Sequence, residues 1–367
     1  MKRIFIFLSI FLIFVSGCQS KPSSSNNSSS TAVNNVIIAD HTVVDKYDTI
    51  PQYWIDQVKK MFVNIPGESH SSGYRIGCDL LELLDNRFQV NRTESGAPEA
   101  YTEAHLRISR AVRNQSSSWN YGTGEDVWYT WYAWDKFAQN YPTGNANMIK
   151  NHMAYCNSNN LKIAAIGFGW CWDMTWQNSP GGGTDPVYNV RWAGSSEGGP
   201  DGSSIWGLDA EDYALTSNHV CMDTYLNATM EYINFCLSNG YSTKVFFTTG
   251  PVDGGGNTGE NGYQRALKHE YIRNYVKSHS NLILFDYADI LCWNNSSEEA
   301  TTTWNGHTYQ VIHPDNMRDY VNETNGDFTT TTDHTEDGDH IGEVGTLRLA
   351  KALWWMLARI AGWDGNP

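Results

Sequence analysis

Two stretches of this chain carry residue types that can do chemistry together. The first is Pro66-Gly67-Glu68-Ser69-His70-Ser71-Ser72-Gly73. It reads as a tight turn between an apolar run and a helical one. A serine in such a turn is easily exposed as a nucleophile, glycine permits the turn, and the N-terminus of the following helix favours developing negative charge. The second is Asp333-His334-Thr335-Glu336-Asp337-Gly338-Asp339-His340, just before the last helical pattern. Serine attack needs an imidazole to take the proton, and the imidazole needs a carboxylate to fix its tautomer. Either stretch alone has a plain alternative. The first could be a serine-rich helix cap, and in the second Asp337, Asp339 and Glu343 could hold Ca²⁺. The calcium reading leaves the serine turn unexplained.

The intervening sequence supplies elements able to bring the two stretches together. Val58–Ile65 is expected to be the first strand. Tyr74–Leu84 has helical spacing at Ile76, Leu80, Leu81 and Leu84. Asn145–Cys156 reads as a helix, Leu161–Phe168 as a buried parallel strand and Asp209–Leu237 as a long helix. Lys244–Thr249 is a strand, Tyr263–Ser278 a helix and Leu282–Asp286 a strand. Thr346–Ile360 is the clearest helix, with Leu349, Leu353, Leu357 and Ile360 on one face. Strands alternating with helices predict an α/β fold, a mostly parallel sheet covered on both sides, with its site beyond the carboxyl ends of the strands. The glycine runs 181–183 and 254–256 lack the lysine and following helix of a phosphate cradle.

Gly67-Glu68-Ser69, with Gly73 four residues after the serine, resembles the first motif of SGNH hydrolases. Asp337-Gly338-Asp339-His340 resembles their Asp-x-x-His motif ahead of the final helix; His334 does not fit, since Thr331 stands three residues before it. Leu353 to Trp363 is similar to the closing helix of a lipoprotein-rich branch of that superfamily, and 246–253 and 284–290 match the branch in order. The resemblance implies a three-layer α/β/α, flavodoxin-like sandwich. It also implies Ser69 as nucleophile and oxyanion donor, His340 as base and Asp337 as its orienting carboxylate, with no metal or organic cofactor. A competing alignment, with relatives that carry His-His-Ser-Thr-Gly, places the nucleophile at Ser71. The family's Gly-x-Asn motif is missing, for the corresponding region reads Gly167-Phe168-Gly169-Trp170-Cys171-Trp172-Asp173. Arg110, Arg113 and Asn114, after the strand expected at Leu106–Ser109, are candidates to frame the second donor loop. Asp286 and Asp289 read as strand-end caps.

The N-terminus adds a location. Lys2 and Arg3 precede an apolar run, Ile4–Val15, too short for a comfortable membrane span, and Val15-Ser16-Gly17-Cys18 follows. Cysteine after Ser-Gly resembles the lipobox of bacterial lipoproteins, which implies a signal peptide over 1–17 and lipidation of Cys18. Residues 18–35, rich in Ser and Asn, are expected to be a flexible tether, and 36–367 the folded domain. The later cysteines are widely spaced, and their pairing stays open. The net charge of −15, from 25 basic and 40 acidic residues, and the lack of any basic cluster exclude nucleic acid as a partner. With 15 Trp and 20 Tyr the chain is rich in rings that stack on sugars. Trp170 and Trp172, just past a strand end, are the expected substrate contacts. Trp128, Trp131, Tyr132 and Asp135 could equally be one helix face with its tryptophans packed inward. The function expected is an exported, membrane-anchored esterase removing an acyl group, acetyl by family habit, from a glycan at the cell surface. Two other readings stand beside it: a glycoside hydrolase using carboxylates among Glu68, Asp173, Asp253 and Asp337, and a catalytically inactive glycan-binding lipoprotein.

Overall fold

The computed structural model describes residues 36–67, 69–113, 118–120, 131, 148–170, 222–254, 258–317 and 341–366. The chain divides into two units, Met1–Asn34 and Asn35–Pro367, and every element below belongs to the second. In chain order the described strands are β1 (Ile37–Ala39), β2 (Phe62–Asn64), β3 (Val90–Thr93), β4 (Leu106–Ser109), β5 (Val112–Arg113), β6 (Trp119–Asn120), β7 (Ala165–Gly167), β8 (Lys244–Thr248), β9 (Ile283–Phe285), β10 (Thr301–Trp304) and β11 (His307–Gln310). The helices are α1 (Gln52–Lys59), α2 (Ser69–Leu84), α3 (Met148–Ser158), α4 (Met222–Ser238), α5 (Glu260–Lys277), α6 (Tyr287–Cys292) and α7 (Glu343–Ala361), with 3-10 turns over His41–Thr49 and Pro314–Met317.

Seven strands form one sheet in the order β1-β9-β8-β7-β2-β4-β3, and every neighbouring pair is parallel. Alternate residues along the strands feed opposite cores. Val63, Ala165, Phe246, Ile283 and Phe285 face a cluster shared with α1, α2 and α7, while Phe62, Ile166, Val245, Phe247 and Leu284 face one shared with α3, α4 and α5. This period of two, apolar on both sides, is what a sheet sandwiched between helices requires. The result is a three-layer α/β/α arrangement. Two small antiparallel pairs, β5–β6 and the hairpin β10–β11, stand outside the sheet.

From β2 the chain first builds β3 and β4 on one side and then β7, β8 and β9 on the other. The winding therefore reverses beside β2, and in such sheets a ligand crevice opens at the carboxyl ends of the strands flanking the reversal.

Several sequence expectations shift. Val58 is helical, the last turn of α1, and the first expected strand shrinks to Phe62–Asn64 behind an unforeseen edge strand, β1. In α2 the buried face is Tyr74, Cys78 and Leu81, whereas Leu84 is 66% exposed and Ile76 and Leu80 form a small cluster of their own with Leu347. Gly73 and Gly77 meet α7 on this helix, and three of the four apolar positions expected from the spacing, Ile76, Leu80 and Leu81, are buried. Of the expected helix Asp209–Leu237, the described part begins at Met222. No helix among the described residues is long and apolar enough to cross a membrane. Cys78, Cys156, Cys236 and Cys292 are buried free thiols.

Candidate active site

The turn after β2 lies at the reversal point. Gly67 forms a parallel bridge with Gly169, just past β7, and the Gly169 N–H donates to Pro66 O at 2.8 Å. Gly67 has φ +141°, and a Cβ on it would stand 1.8 Å from Gly169 O. A Cβ on Gly169 would stand 2.1 Å from Ser71 Cβ. Two glycines thus let the ends of β2 and β7 and the first turn of α2 meet without side chains between them. Ser69 is the first residue of α2, where backbone N–H groups have no partner inside the helix. Ser71 is fully buried, and its Oγ accepts from Arg75 Nη1 at 3.0 Å.

Arg75, itself fully buried, holds this turn in place. Its Nη1 donates to Ile65 O at 3.1 Å and Ser71 O at 2.8 Å, while Nε and Nη2 form a fork on Glu94 at 2.7 and 3.1 Å. Arg92 reaches the same carboxylate at 3.2 Å, and Arg110 Nη2 donates to Gly67 O at 3.2 Å. Burial alone would raise the Glu94 carboxyl, but Arg75, Arg92 and Arg110 outweigh it and hold it at about 2. Glu94 is therefore a permanent anion at neutral pH. Sequence reasoning missed this brace; its signal was an arginine inside a helix face otherwise made of Tyr74, Cys78 and Leu81.

The strand before the turn is tied to the neighbouring loop by a second polar cluster. Asn64, buried at the end of β2, donates to Ser109 O at 3.0 Å and Ala111 O at 3.1 Å. The Arg113 N–H donates to His152 Nδ1 at 3.1 Å, which leaves Nε2 to donate to Asn64 Oδ1 at 3.2 Å. Burial, then Arg113, lowers the imidazole to about 3, so His152 is neutral and structural. The donor loop expected at Arg110 and Arg113 is thus anchored on both sides, with the Arg113 guanidinium 3.6 Å from the Tyr155 ring centre.

Asp337 and His340 lie outside the described residues, as do Cys18, Glu68, Asn114, Trp172 and Asp173. The chain becomes described again at Ile341, directly after His340. A Cβ on Gly73 would stand 2.7 Å from Ile341 Cδ1, and one on Gly77 would stand 2.0 Å from Thr346 O. Gly73 follows Ser69 by one helical turn, so both lie on the same face of α2, roughly 6 Å apart along its axis. Ile341 therefore meets α2 on the face and near the end where Ser69 begins it.

Three other expectations meet described residues. Trp170 is 2% exposed, packs on Phe168 and Tyr225, and donates through Nε1 to Thr248 Oγ1 at 3.0 Å. Its ring is a wall of the core beside the crevice, which corrects the reading of Trp170 as a sugar-stacking surface. Trp131 is likewise packed inward, with its Nε1 donating to Thr229. Asp253 is buried in an ion pair with Arg265 at 2.8 Å. Asp286 caps α6 through the Asp289 N–H and accepts a fork from Arg273, as a strand-end cap should; Asp289 instead binds His41 Nδ1 at 2.5 Å.

No protein-family model matches the chain, and no curated protein does.

Proposed function

We propose that this chain is a serine esterase of the SGNH type that removes an acyl group, acetyl in the first instance, from a glycan at the bacterial cell surface. In this reading Cys18 carries the lipid anchor and residues 18–35 the tether. The observation that carries it is the seating of Ile341 on Gly73, which brings the chain next to His340 to the helix that Ser69 opens. Ser69 opens α2 at the carboxyl edge of the sheet, and Ile341, the residue after His340, packs on Gly73 of the same helix.

In the proposed mechanism Ser69 attacks the ester carbonyl while His340 takes its proton. Asp337 holds the imidazole in the tautomer that can do so and stabilises the imidazolium. The oxyanion is met by the Ser69 N–H at the opening of α2. His340 returns the proton to the leaving sugar hydroxyl, and water then releases the acyl group by the same steps in reverse. The buried, arginine-bonded hydroxyl of Ser71 favours Ser69 over Ser71 as nucleophile. Among the carboxylates that a glycoside hydrolase would need, Asp253 is taken by Arg265, and nothing favours that reading.

Hydrolysis of p-nitrophenyl acetate by the full-length protein tests the proposal. Ser69→Ala and His340→Ala should each remove turnover by at least a thousandfold, an order set by loss of a triad member. Ser71→Ala should keep turnover within a few-fold. Turnover that survives Ser69→Ala would sink the mechanism.

A further inference from the structure

A cavity of about 410 Å³ opens at the other end of the sheet's carboxyl edge, bounded by β1, α5 and the hairpin β10–β11. It lies at β9 and β1, three strand spacings or roughly 14 Å from the crevice at β2. Its size suits a small organic ligand rather than an ion.

The charges on its wall are largely settled among themselves. Asp286 is occupied by Arg273 and Thr249, and Asp289 by His41 and Gln310. What the rim shows to solvent is one carboxylate, one ammonium and one hydroxyl: Glu270, Lys277 and Thr308. Four carboxylates line the cavity against two cations, so an anionic ligand would enter against the local field. A neutral ligand with several hydroxyls, each able to donate and accept, matches the mixed rim.

The wall also has a flat apolar part. Tyr263 is half-buried, and its ring stacks on His307 with centroids 4.6 Å apart and planes 17° from parallel. Trp304 and Tyr309 lean on the same ring at 5.6 and 6.0 Å. Gly262 makes this possible, since a Cβ there would stand 2.8 Å from the Tyr309 ring. His269, also on the wall, is 2% exposed; its Nε2 has no hydrogen-bond partner among the described residues and lies 3.4 Å from where a Cβ on Gly250 would stand. A buried ring nitrogen without a partner is costly.

We infer that this cavity is a second subsite for a neutral sugar ring, holding the glycan chain at a distance from the reacting ester. Tyr263 provides the apolar platform, and Glu270, Lys277 and Gln310 read the hydroxyls. The inference rests on the glycan part of the proposed function and is independent of its serine chemistry.

The test is calorimetric titration of the full-length protein in detergent with xylohexaose, cellohexaose and mannohexaose, beside hexagalacturonate as an anionic chain of similar length. At least one neutral chain should bind and hexagalacturonate should not. Tyr263→Ala should weaken that binding at least tenfold and leave turnover of p-nitrophenyl acetate unchanged, while Ser69→Ala should bind as the wild type does. If Tyr263→Ala does not fold, the double substitution Lys277→Ala and Gln310→Ala at the rim should give the same weakening. Binding by none of the three neutral chains, equal binding by the rim variant, or preference for hexagalacturonate would overturn the subsite. Those results with ester turnover intact would leave the esterase standing. Binding intact with turnover absent in the wild type would do the opposite.

Discussion

The two helical layers hold the sheet by different means. On the side of α2 and α7 the contacts are close because side chains are missing: Gly67, Gly73, Gly77 and Gly345 each sit where a single added carbon would overlap a neighbour. On the side of α3, α4 and α5 the contacts are aromatic, and Tyr225, Tyr232, Trp131 and Trp170 each spend their polar atom on a partner. The Tyr225 hydroxyl takes the Thr248 N–H at 2.8 Å, the Tyr232 hydroxyl meets Trp131 O at 2.5 Å, and Trp131 and Trp170 bond to Thr229 and Thr248. One layer is sensitive to added volume and the other to lost partners. The layer that tolerates no added carbon is also the one carrying Ser69 and the chain that leads out of His340. Catalytic groups need placement to within a fraction of an ångström, and backbone-to-backbone contact moves less than contact through long side chains.

The largest effect expected on this contrast is from Gly67→Ala. It combines a left-handed backbone angle with a carbon 1.8 Å from Gly169 O, and should cost on the order of 4 kcal/mol or more in urea denaturation. A mild effect would mean that the turn can move, and the contrast would fail there.

Glu94→Gln should come next, because it leaves the fully buried Arg75 without its anion. Its pH dependence sharpens the test. The carboxyl is lowered from 4.5 to about 2, so its contribution is complete above pH 4.5 and is lost as pH falls toward 2. The gap in Tm between wild type and Glu94→Gln should be constant above pH 4.5 and close below it. A gap that grows on acidification would contradict the brace.

Gly77→Ala should follow, at about 1–3 kcal/mol for an overpacked contact. Because it pushes α2 and α7 apart, ester turnover should fall with it. Tyr225→Phe supplies the opposite case: a buried N–H loses its partner at a cost of about 1–2 kcal/mol, with turnover kept. Similar losses of turnover in both variants would erase the difference between the layers.

The sequence made much of this visible, and the misses have causes. Leu106–Ser109 was legible to the residue, and α7 nearly so; α7 is long, strongly apolar on one face and ends at Gly362 with φ +117°. The three-residue strand β1 was not legible, since so short a segment has no period of its own and becomes a strand only by pairing with β9. The helical spacing of α2 was legible, with Ile76, Leu80 and Leu81 buried and Leu84 exposed; that two glycines set its contact with α7 was not. The turn at Ser69 was legible as a turn between a strand and a helix. Its brace was not, because Arg75 and Glu94 lie 19 residues apart and belong to different elements. Trp170 shows the limit of composition: an aromatic residue at a strand end is a binding surface only if a face of its ring is open.

The pairing of β1 with β9 has a consequence for how the chain reaches this structure. The edge strand near the start waits for a partner beside Asp289, which is 248 residues beyond His41. At synthesis rates of about 5–20 residues per second, that interval is roughly 12–50 seconds. Throughout it, Ile37 and Ile38 have no β9 to join, and a bare strand recruits other chains. Closure of the sheet is therefore a late event, and slow emergence of the second half would expose the protein to association with its own copies.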